Sequence, residues 1–287
     1  MKVAILQTDI EWGRPEENIQ RAEQLMAQVP GADLYVLPEM WSTGFATEPF
    51  GIAEEEKSSI SLDWMHTKAK TLGCAICGSL AVHVDGNYRN RHYFINGRKD
   101  VAQHYDKHHL FTYGHEDQYY SPGDRHTVVD YEGFRFLLLT CYDLRFPVWS
   151  RYSDKYPYDA IICVANWPES RQNAWQILTR ARAIENQAYL IGCNRVGDDS
   201  YNHYRGCSAV ISPIGKTLAH CKANVQDTTT FLLDLEEIRH KREKFKVLEE
   251  RDILFLRIGI MINNKFFRKY SAKSLVSSKK VTTFAPA

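Results

Sequence analysis

Thr127-Val128-Val129-Asp130-Tyr131-Glu132-Gly133-Phe134-Arg135-Phe136-Leu137-Leu138-Leu139-Thr140-Cys141 is the stretch on which the fold reading turns. Two β-prone runs, 127–129 and 135–140, flank a turn, which is a hairpin signal. The second run then leads into a different pattern. Residues 147–156 read as a helix, 159–164 as an apolar strand, 171–185 as a helix and 188–193 as another strand. The helix over 171–185 shows an apolar face at Ala174, Ile177, Leu178, Ala181 and Ile184. A hairpin joined to β-α-β units does not fit a purely parallel sheet. Working outward, the N-terminal half repeats the mixture. Residues 3–7 and 33–37 read as strands, and 15–28 as a helix with Pro15 where helices tolerate proline. A helix over 62–71 ends at Gly73, and Asp85-Gly86-Asn87 joins strands 74–84 and 88–95 as a second hairpin. Strands at 101–105, 207–211 and 229–233 and a short charged helix at 235–244 complete the pattern. It implies an α/β chain with two mixed sheets covered by helices, a layered sandwich.

Composition bounds what such a chain does. Its 287 residues carry a formal net charge of +1, from 36 basic and 35 acidic residues. Residues 253–287 hold seven Lys or Arg and no acid, so residues 1–252 hold 29 basic against 35 acidic, a net of −6. An acidic body argues against nucleic acid as a partner, because such binders present a broad basic surface. No stretch reads as a membrane span. The most apolar, 253–262, is about half the roughly 20 residues a span needs, and Arg257 interrupts it. Gln7, Asp9 and Glu11 break the N-terminal apolar run before it resembles a secretory signal. Seven cysteines, an odd number in a chain that folds without staples, read as reduced thiols of a cytoplasmic protein. Cys74 and Cys77 have redox or zinc spacing, but within a strand they face opposite ways, and no second pair completes a zinc set. His104, His108, His109 and His115 read as surface or satisfied core histidines, with His115 closest to the candidate site, and Glu54-Glu55-Glu56 as a solvated face. Residues 1–250 read as one domain, and 251–287 as a basic tail without clear periodicity, poorly ordered or adventitious.

Three polar residues stand directly after apolar strand-like runs: Glu39 in Leu37-Pro38-Glu39-Met40, Lys107 in Tyr105-Asp106-Lys107-His108, and Cys141 in Leu139-Thr140-Cys141-Tyr142. Strand ends in α/β folds are where side chains converge on a site. A carboxylate, an ammonium and a thiol suffice for acyl transfer: Glu39 takes the thiol proton, Cys141 attacks, and Lys107 stabilises the oxyanion. A helix start or a cation near Cys141 lowers a thiol's pKa. Spacing alone does not separate this trio from a structural one, since a cysteine after a strand is commonly a buried small hydrophobe.

Longer motifs separate them. Val36-Leu37-Pro38-Glu39-Met40 is followed by Tyr105-Asp106-Lys107-His108-His109-Leu110-Phe111 and by Cys141-Tyr142-Asp143-Leu144-Arg145-Phe146-Pro147-Val148-Trp149-Ser150-Arg151. Then come Val164-Ala165-Asn166-Trp167-Pro168, Arg180-Ala181-Arg182-Ala183-Ile184-Glu185-Asn186-Gln187, Cys193-Asn194-Arg195-Val196-Gly197 and Tyr204-Arg205-Gly206. In this order, over roughly residues 2–250, the chain resembles the nitrilase (carbon–nitrogen hydrolase) superfamily and, within it, the YafV-type omega-amidases. The resemblance implies a four-layer α-β-β-α sandwich and a carbon–nitrogen hydrolase domain over 1–250. It implies a catalytic Glu39, Lys107 and Cys141, with Glu116, seven residues before Gly123-Asp124, as a second glutamate. It also implies that the backbone N–H of Tyr142 joins Lys107 around the oxyanion. The expected activity is hydrolysis of the terminal amide of 2-oxo dicarboxylic acid monoamides through a thioester, with no metal and no cofactor. The expected partner is the small amide itself, and the expected assembly a homodimer. An anionic substrate calls for a cation besides Lys107, for which Arg145, Arg171, Arg195 and Arg205 are candidates, with Asn166 and Trp167 beside them. Another superfamily amidase or carbamoylase, or a catalytically inactive binding protein, are the alternatives.

Overall fold

The structure is a computed structural model that describes residues 1–251. The basic segment expected from residue 251 onward falls, Arg251 apart, outside the described residues. The first half contains β1 (Lys2–Gln7), α1 (Pro15–Gln28), β2 (Leu34–Val36), β3 (Glu54–Glu55), α2 (Ile60–Leu72), β4 (Ala75–Val84), β5 (Asn87–Asn96) and β6 (Val101–Asp106). The second contains β7 (Val128–Tyr131), β8 (Phe134–Thr140), β9 (Ala160–Ala165), α3 (Gln172–Glu185), β10 (Tyr189–Asn194), β11 (Val196–Asp198), β12 (His203–Arg205), β13 (Ala209–Ile211), β14 (Thr217–His220), β15 (Asp227–Leu232) and α4 (Leu235–Lys244). One sheet runs β15-β1-β2-β4-β5-β6 with β3 beside β4, and the other β14-β13-β10-β9-β8-β7. Both are mixed: β1, β2 and β4 are mutually parallel, as are β8, β9 and β10, while the flanking hairpins are antiparallel.

Strand alternation builds the layers. Val3 and Ile5 of β1 join Val36, Cys77 and Phe94 in a core shared with the second sheet, whereas Ala4 and Leu6 pack under Ala22, Leu25 and Met26 of α1 and Met65 and Ala69 of α2. Phe94 stacks on Phe136 at 6.1 Å across the sheets. The Cys193 thiol reaches the carbonyls of Val36 and Leu6 at 3.3 and 3.5 Å. Cys74, one residue before β4, and Cys77 within it lie in different cores. Each fully buried aliphatic side chain contributes about 1.5–3 kcal/mol to holding the layers together. α2 is bounded by local chemistry: Ser59 Oγ accepts from Leu62 N at 3.0 Å, and Gly73 ends the helix at φ 59°.

Three sequence expectations fail for tertiary reasons. Residues 147–156 form turns and bends instead of a helix, and a 3-10 turn, Cys141–Arg145, precedes them. Trp149 is clamped between His108 and His126 at 3.6 and 3.8 Å, and Tyr152 N donates to Asn186 Oδ1. Those contacts take the chain away from helical geometry. The expected apolar face of α3 is turned: Gln172, Trp175, Thr179, Arg182 and Ala183 are buried, while Ile177 and Ile184 are exposed. Trp175 decides this, since it fills the space over Gly192, where a Cβ would meet the indole at 2.9 Å. Glu54-Glu55-Glu56 is not a plain solvated face either, because Glu56 accepts from Arg91 and from Tyr93 OH, both at 2.6 Å. The ribbon of β11 and β12, and β14, carry too few apolar residues to be read as strands in advance.

Candidate active site

Glu39 follows β2, Lys107 follows β6, Cys141 follows β8 and Asn166 follows β9, so the strand ends of both sheets meet at one place. Lys107 has no exposed side-chain surface. Its ammonium donates to Glu39 Oε1 at 2.8 Å and to Glu116 Oε2 and Oε1 at 2.8 and 3.2 Å. The Phe45 ring lies 5.2 Å from the ammonium. Burial opposes the charge on Lys107, yet the two facing carboxylates hold its pKa above the ordinary lysine value. Burial raises the pKa of Glu116, Lys107 works against that, and Glu39 adds to it. Glu39 Oε2 accepts from Asn166 N at 2.8 Å, and Glu39 O from Asn166 Nδ2 at 2.7 Å. Glu116 Oε2 accepts from Phe111 N at 2.6 Å.

Cys141 sits on a sharp turn with φ 44°, a left-handed conformation that costs about 1–3 kcal/mol and persists only where its surroundings impose it. Asp143, fully buried, does the imposing. Its Oδ2 accepts from Thr140 N at 3.0 Å and from Tyr105 OH at 2.8 Å, and its Oδ1 from His109 N at 2.9 Å. Burial pushes the Cys141 thiol well up, Glu39 pushes it further, and Lys107 pulls it down. This corrects the sequence expectation of a lowered thiol pKa: the helix thought to follow is absent, and the cation is shared with two carboxylates. Burial and the Glu39 charge thus favour the protonated sulfur, against the pull of Lys107.

The thiol opens onto a cleft lined by Phe45, Phe111, Tyr142, Arg145, Trp167 and Arg171, among others. Arg145 lies over Trp167 at 4.8 Å, and Arg171 over Phe111 at 5.4 Å. Among the described residues neither guanidinium has an ion-pair or hydrogen-bond partner. Asn166 also lines the cleft. The expectation that Arg195 reads substrate meets a different geometry. Arg195 is buried outside the cleft lining, and Nη2 donates to the carbonyls of Ile10 and Asp198 at 3.2 and 3.0 Å. Its guanidinium stacks on Tyr204 at 4.5 Å, so it supports the back of a cleft residue. Arg205 pairs with Glu169 at 3.6 Å, away from the lining. His115 is exposed and bonded to Gln118, not directed at the thiol.

Sequence reasoning missed Asn90, whose Nδ2 touches both buried carboxylates. Flanked by Arg89 and Arg91, it gives no local signal. Its partner Ser79, a lone hydroxyl inside the apolar run Ala75-Ile76-Cys77-Gly78-Ser79-Leu80-Ala81, does. Asn202 and Tyr204, brought to the cleft by the β11–β12 ribbon, were also missed.

Comparison with known proteins bears on this geometry. The family model described as carbon-nitrogen hydrolase matches residues 2–243. Omega-amidase YafV of Escherichia coli (strain K12) is 39% identical over 253 residues, covering 88% of this chain and 97% of that protein. A 2-oxoglutaramate amidase of Bacillus subtilis (strain 168) is 32% identical over 250 residues, covering 86% of this chain and 96% of that one. The crystal structure of XC1258 from Xanthomonas campestris, a CN-hydrolase superfamily protein with an arsenic adduct in its active site, superimposes with a TM-score of 0.85 at 32% identity, covering 89% of this chain and 98% of that one. The chain belongs to the carbon–nitrogen hydrolase family, within the nitrilase superfamily.

Proposed function

We propose that this chain is an omega-amidase that hydrolyses the terminal amide of short 2-oxo dicarboxylic acid monoamides, such as 2-oxoglutaramate, to the 2-oxo acid and ammonia. The observation that carries the substrate class is the pair of guanidiniums, Arg145 and Arg171, that line the thiol's cleft without acidic partners among the described residues. A planar guanidinium matches a carboxylate bidentately. The chain's overall charge is close to neutral, so local cations rather than the net field draw in an anion.

The chemistry follows from the protonation states. Burial and Glu39 favour the protonated thiol, and attack on the amide carbon proceeds as Glu39 takes that proton. The carbonyl oxygen becomes an oxyanion, held by the Lys107 ammonium and the Tyr142 backbone N–H. Glu39 returns the proton to the departing nitrogen, ammonia leaves, and an acyl thioester remains on Cys141. Glu39 then takes a proton from water, the hydroxide adds to the thioester carbon, and collapse releases the acid and restores the thiol. Glu116 does not touch the substrate in this scheme, and its work is to share the Lys107 charge.

Ammonia release from 2-oxoglutaramate and 2-oxosuccinamate, compared with propionamide, tests the reading. A kcat/KM at least about a hundredfold higher for the carboxylates is expected, the size of one bidentate ion pair. Better turnover of the neutral amide would overturn it. Dimerisation belongs to the same proposal. Ile177 and Ile184, about half exposed on one side of α3, with Ile184 against Gly215, give an apolar face suited to a second copy of the chain.

A further inference from the structure

Two buried carboxylates, Glu39 and Glu116, face one buried ammonium, Lys107. That leaves one negative charge in excess, and like-charged carboxylates in one cavity tend to trap a proton between them. A trapped proton would remove Glu39 as a base. Asn90 of β5, 1% exposed, occupies the place where such a proton would be shared. Its Nδ2 donates to Glu39 Oε1 at 2.8 Å and to Glu116 Oε1 at 3.0 Å.

The orientation of that amide is dictated from outside the charged cluster. Met40 N donates to Ser79 Oγ at 2.8 Å, so the Ser79 hydroxyl directs its hydrogen elsewhere, to Asn90 Oδ1 at 2.8 Å. With Oδ1 engaged, both amide hydrogens point at the carboxylates. The backbone carbonyl of Asn90 accepts from Lys107 N at 3.0 Å, so the same residue also fixes the start of the lysine segment. The chain of donors begins one residue from Glu39 and ends on Glu39, and every link in it gives hydrogen toward the carboxylates.

We propose that Asn90 is a positioning residue of the amidase, which keeps Glu39 and Glu116 both ionised and apart by offering each a hydrogen that neither can share. The proton that the reaction uses then stays on the Cys141 thiol, where Glu39 collects it. The other titratable groups facing the cluster are Lys107 at the end of β6, Cys141 on its turn, and Tyr120 beyond Glu116. His92, two residues along the same strand, is held neutral by burial, its pKa pulled down to about 3. None of these offers a second neutral donor to both carboxylates.

This inference rests on the proposed chemistry at Cys141, and a substrate-free readout separates the two. Cys141 is alkylated with iodoacetamide across pH 4–10 and followed by peptide mass, alongside the pH profile of kcat/KM on 2-oxoglutaramate. Asn90→Ala and Asn90→Asp are expected to move the acid limb of both profiles upward by about one pH unit, more for Asp, which adds a third carboxylate. KM should change less than about threefold while kcat falls at least about tenfold. Folded variants whose acid limbs stay within about 0.3 of a unit of the parent overturn the proposal, even if kcat falls. Should neither Asn90 variant fold, Ser79→Ala decides: it frees the amide to rotate and is expected to move the limb the same way, and an unmoved limb overturns the proposal. If the parent turns over no 2-oxo acid monoamide but its alkylation limb still moves in the variants, the substrate reading fails and the role of Asn90 stands.

Discussion

Glu116→Gln separates the proposed catalytic contribution of the second glutamate from its contribution to stability. The change is nearly isosteric. In the parent, Oε2 accepts from Phe111 N at 2.6 Å and from Lys107 Nζ at 2.8 Å, while Oε1 accepts from Asn90 Nδ2 at 3.0 Å and Lys107 Nζ at 3.2 Å. A carboxamide has one oxygen, so whichever way it turns, an NH2 group faces donors on one side. Losing one or two such bonds costs about 1–3 kcal/mol. Against this, the buried charge disappears, and its desolvation cost with it. The net destabilisation expected is at most about 2 kcal/mol, or some 4–8 °C in Tm for a domain of this size. Catalysis suffers more. With one carboxylate gone, the Lys107 ammonium is drawn wholly to Glu39 and is no longer aimed at the oxyanion. Removing one such donor costs about 10²–10³ in kcat.

The same variant carries a sign-defined pH signature. Glu116 has a raised pKa in the folded state, so the fold binds its proton more tightly than the unfolded chain does. Its contribution to stability is therefore greatest at low pH, and it declines as pH rises from about 4.3 toward the raised folded value. Glu116→Gln should lack that decline. The assays are urea melts between pH 4 and 7 and ammonia release by a coupled glutamate dehydrogenase reaction. A folded Glu116→Gln enzyme with kcat/KM within threefold of the parent would refute the reasoning about Lys107.

Three further variants test the cleft and the surface. Arg145→Met and Arg171→Met should each raise KM for 2-oxoglutaramate, by about 10- to 100-fold for the residue that takes the carboxylate, with little effect on propionamide; equal losses on both amides would show that the arginines only brace Trp167 and Phe111. Ile184→Glu places a charge on the apolar face of α3 and should convert a dimer to a monomer in light scattering without lowering Tm by more than a few degrees; an unchanged mass would show that this face is not the interface.

What the sequence made legible follows physical lines. The meeting of Glu39, Lys107 and Cys141 was readable because each follows a strand-like run, although the one before Lys107 is largely exposed, and strand ends of two sandwiched sheets converge. Their mutual contacts are long-range, and Glu116 came from the family pattern instead of spacing. The strand character of β1 was readable because a short continuous apolar run, Val3-Ala4-Ile5-Leu6, is a local property, whereas which core each side chain enters is not. The direction of α3 was not: its side-chain pattern favours Ile177 and Ile184, but Trp175 over Gly192 is a tertiary fit that no local period records. The helix expected over 147–156 failed for the same reason, since the His108–Trp149–His126 stack joins residues far apart in the chain. Arg195 reads as a cation in a motif, but only the fold reveals that the carbonyls of Ile10, Val196 and Asp198 consume its donors. Asn90 acts across a sheet, through Ser79 and on two glutamates from separate loops, and no stretch of sequence contains that arrangement.

The central claim is that Cys141 carries the acyl group while Glu39 handles the protons. Acid quench within the first turnover on 2-oxoglutaramate, followed by peptide mass spectrometry, tests it most directly. The acyl mass is expected as a thioester on the Cys141 peptide, absent in Cys141→Ala and slow to form in Glu39→Gln. Ammonia release without that adduct, or turnover retained in Cys141→Ala, would contradict it.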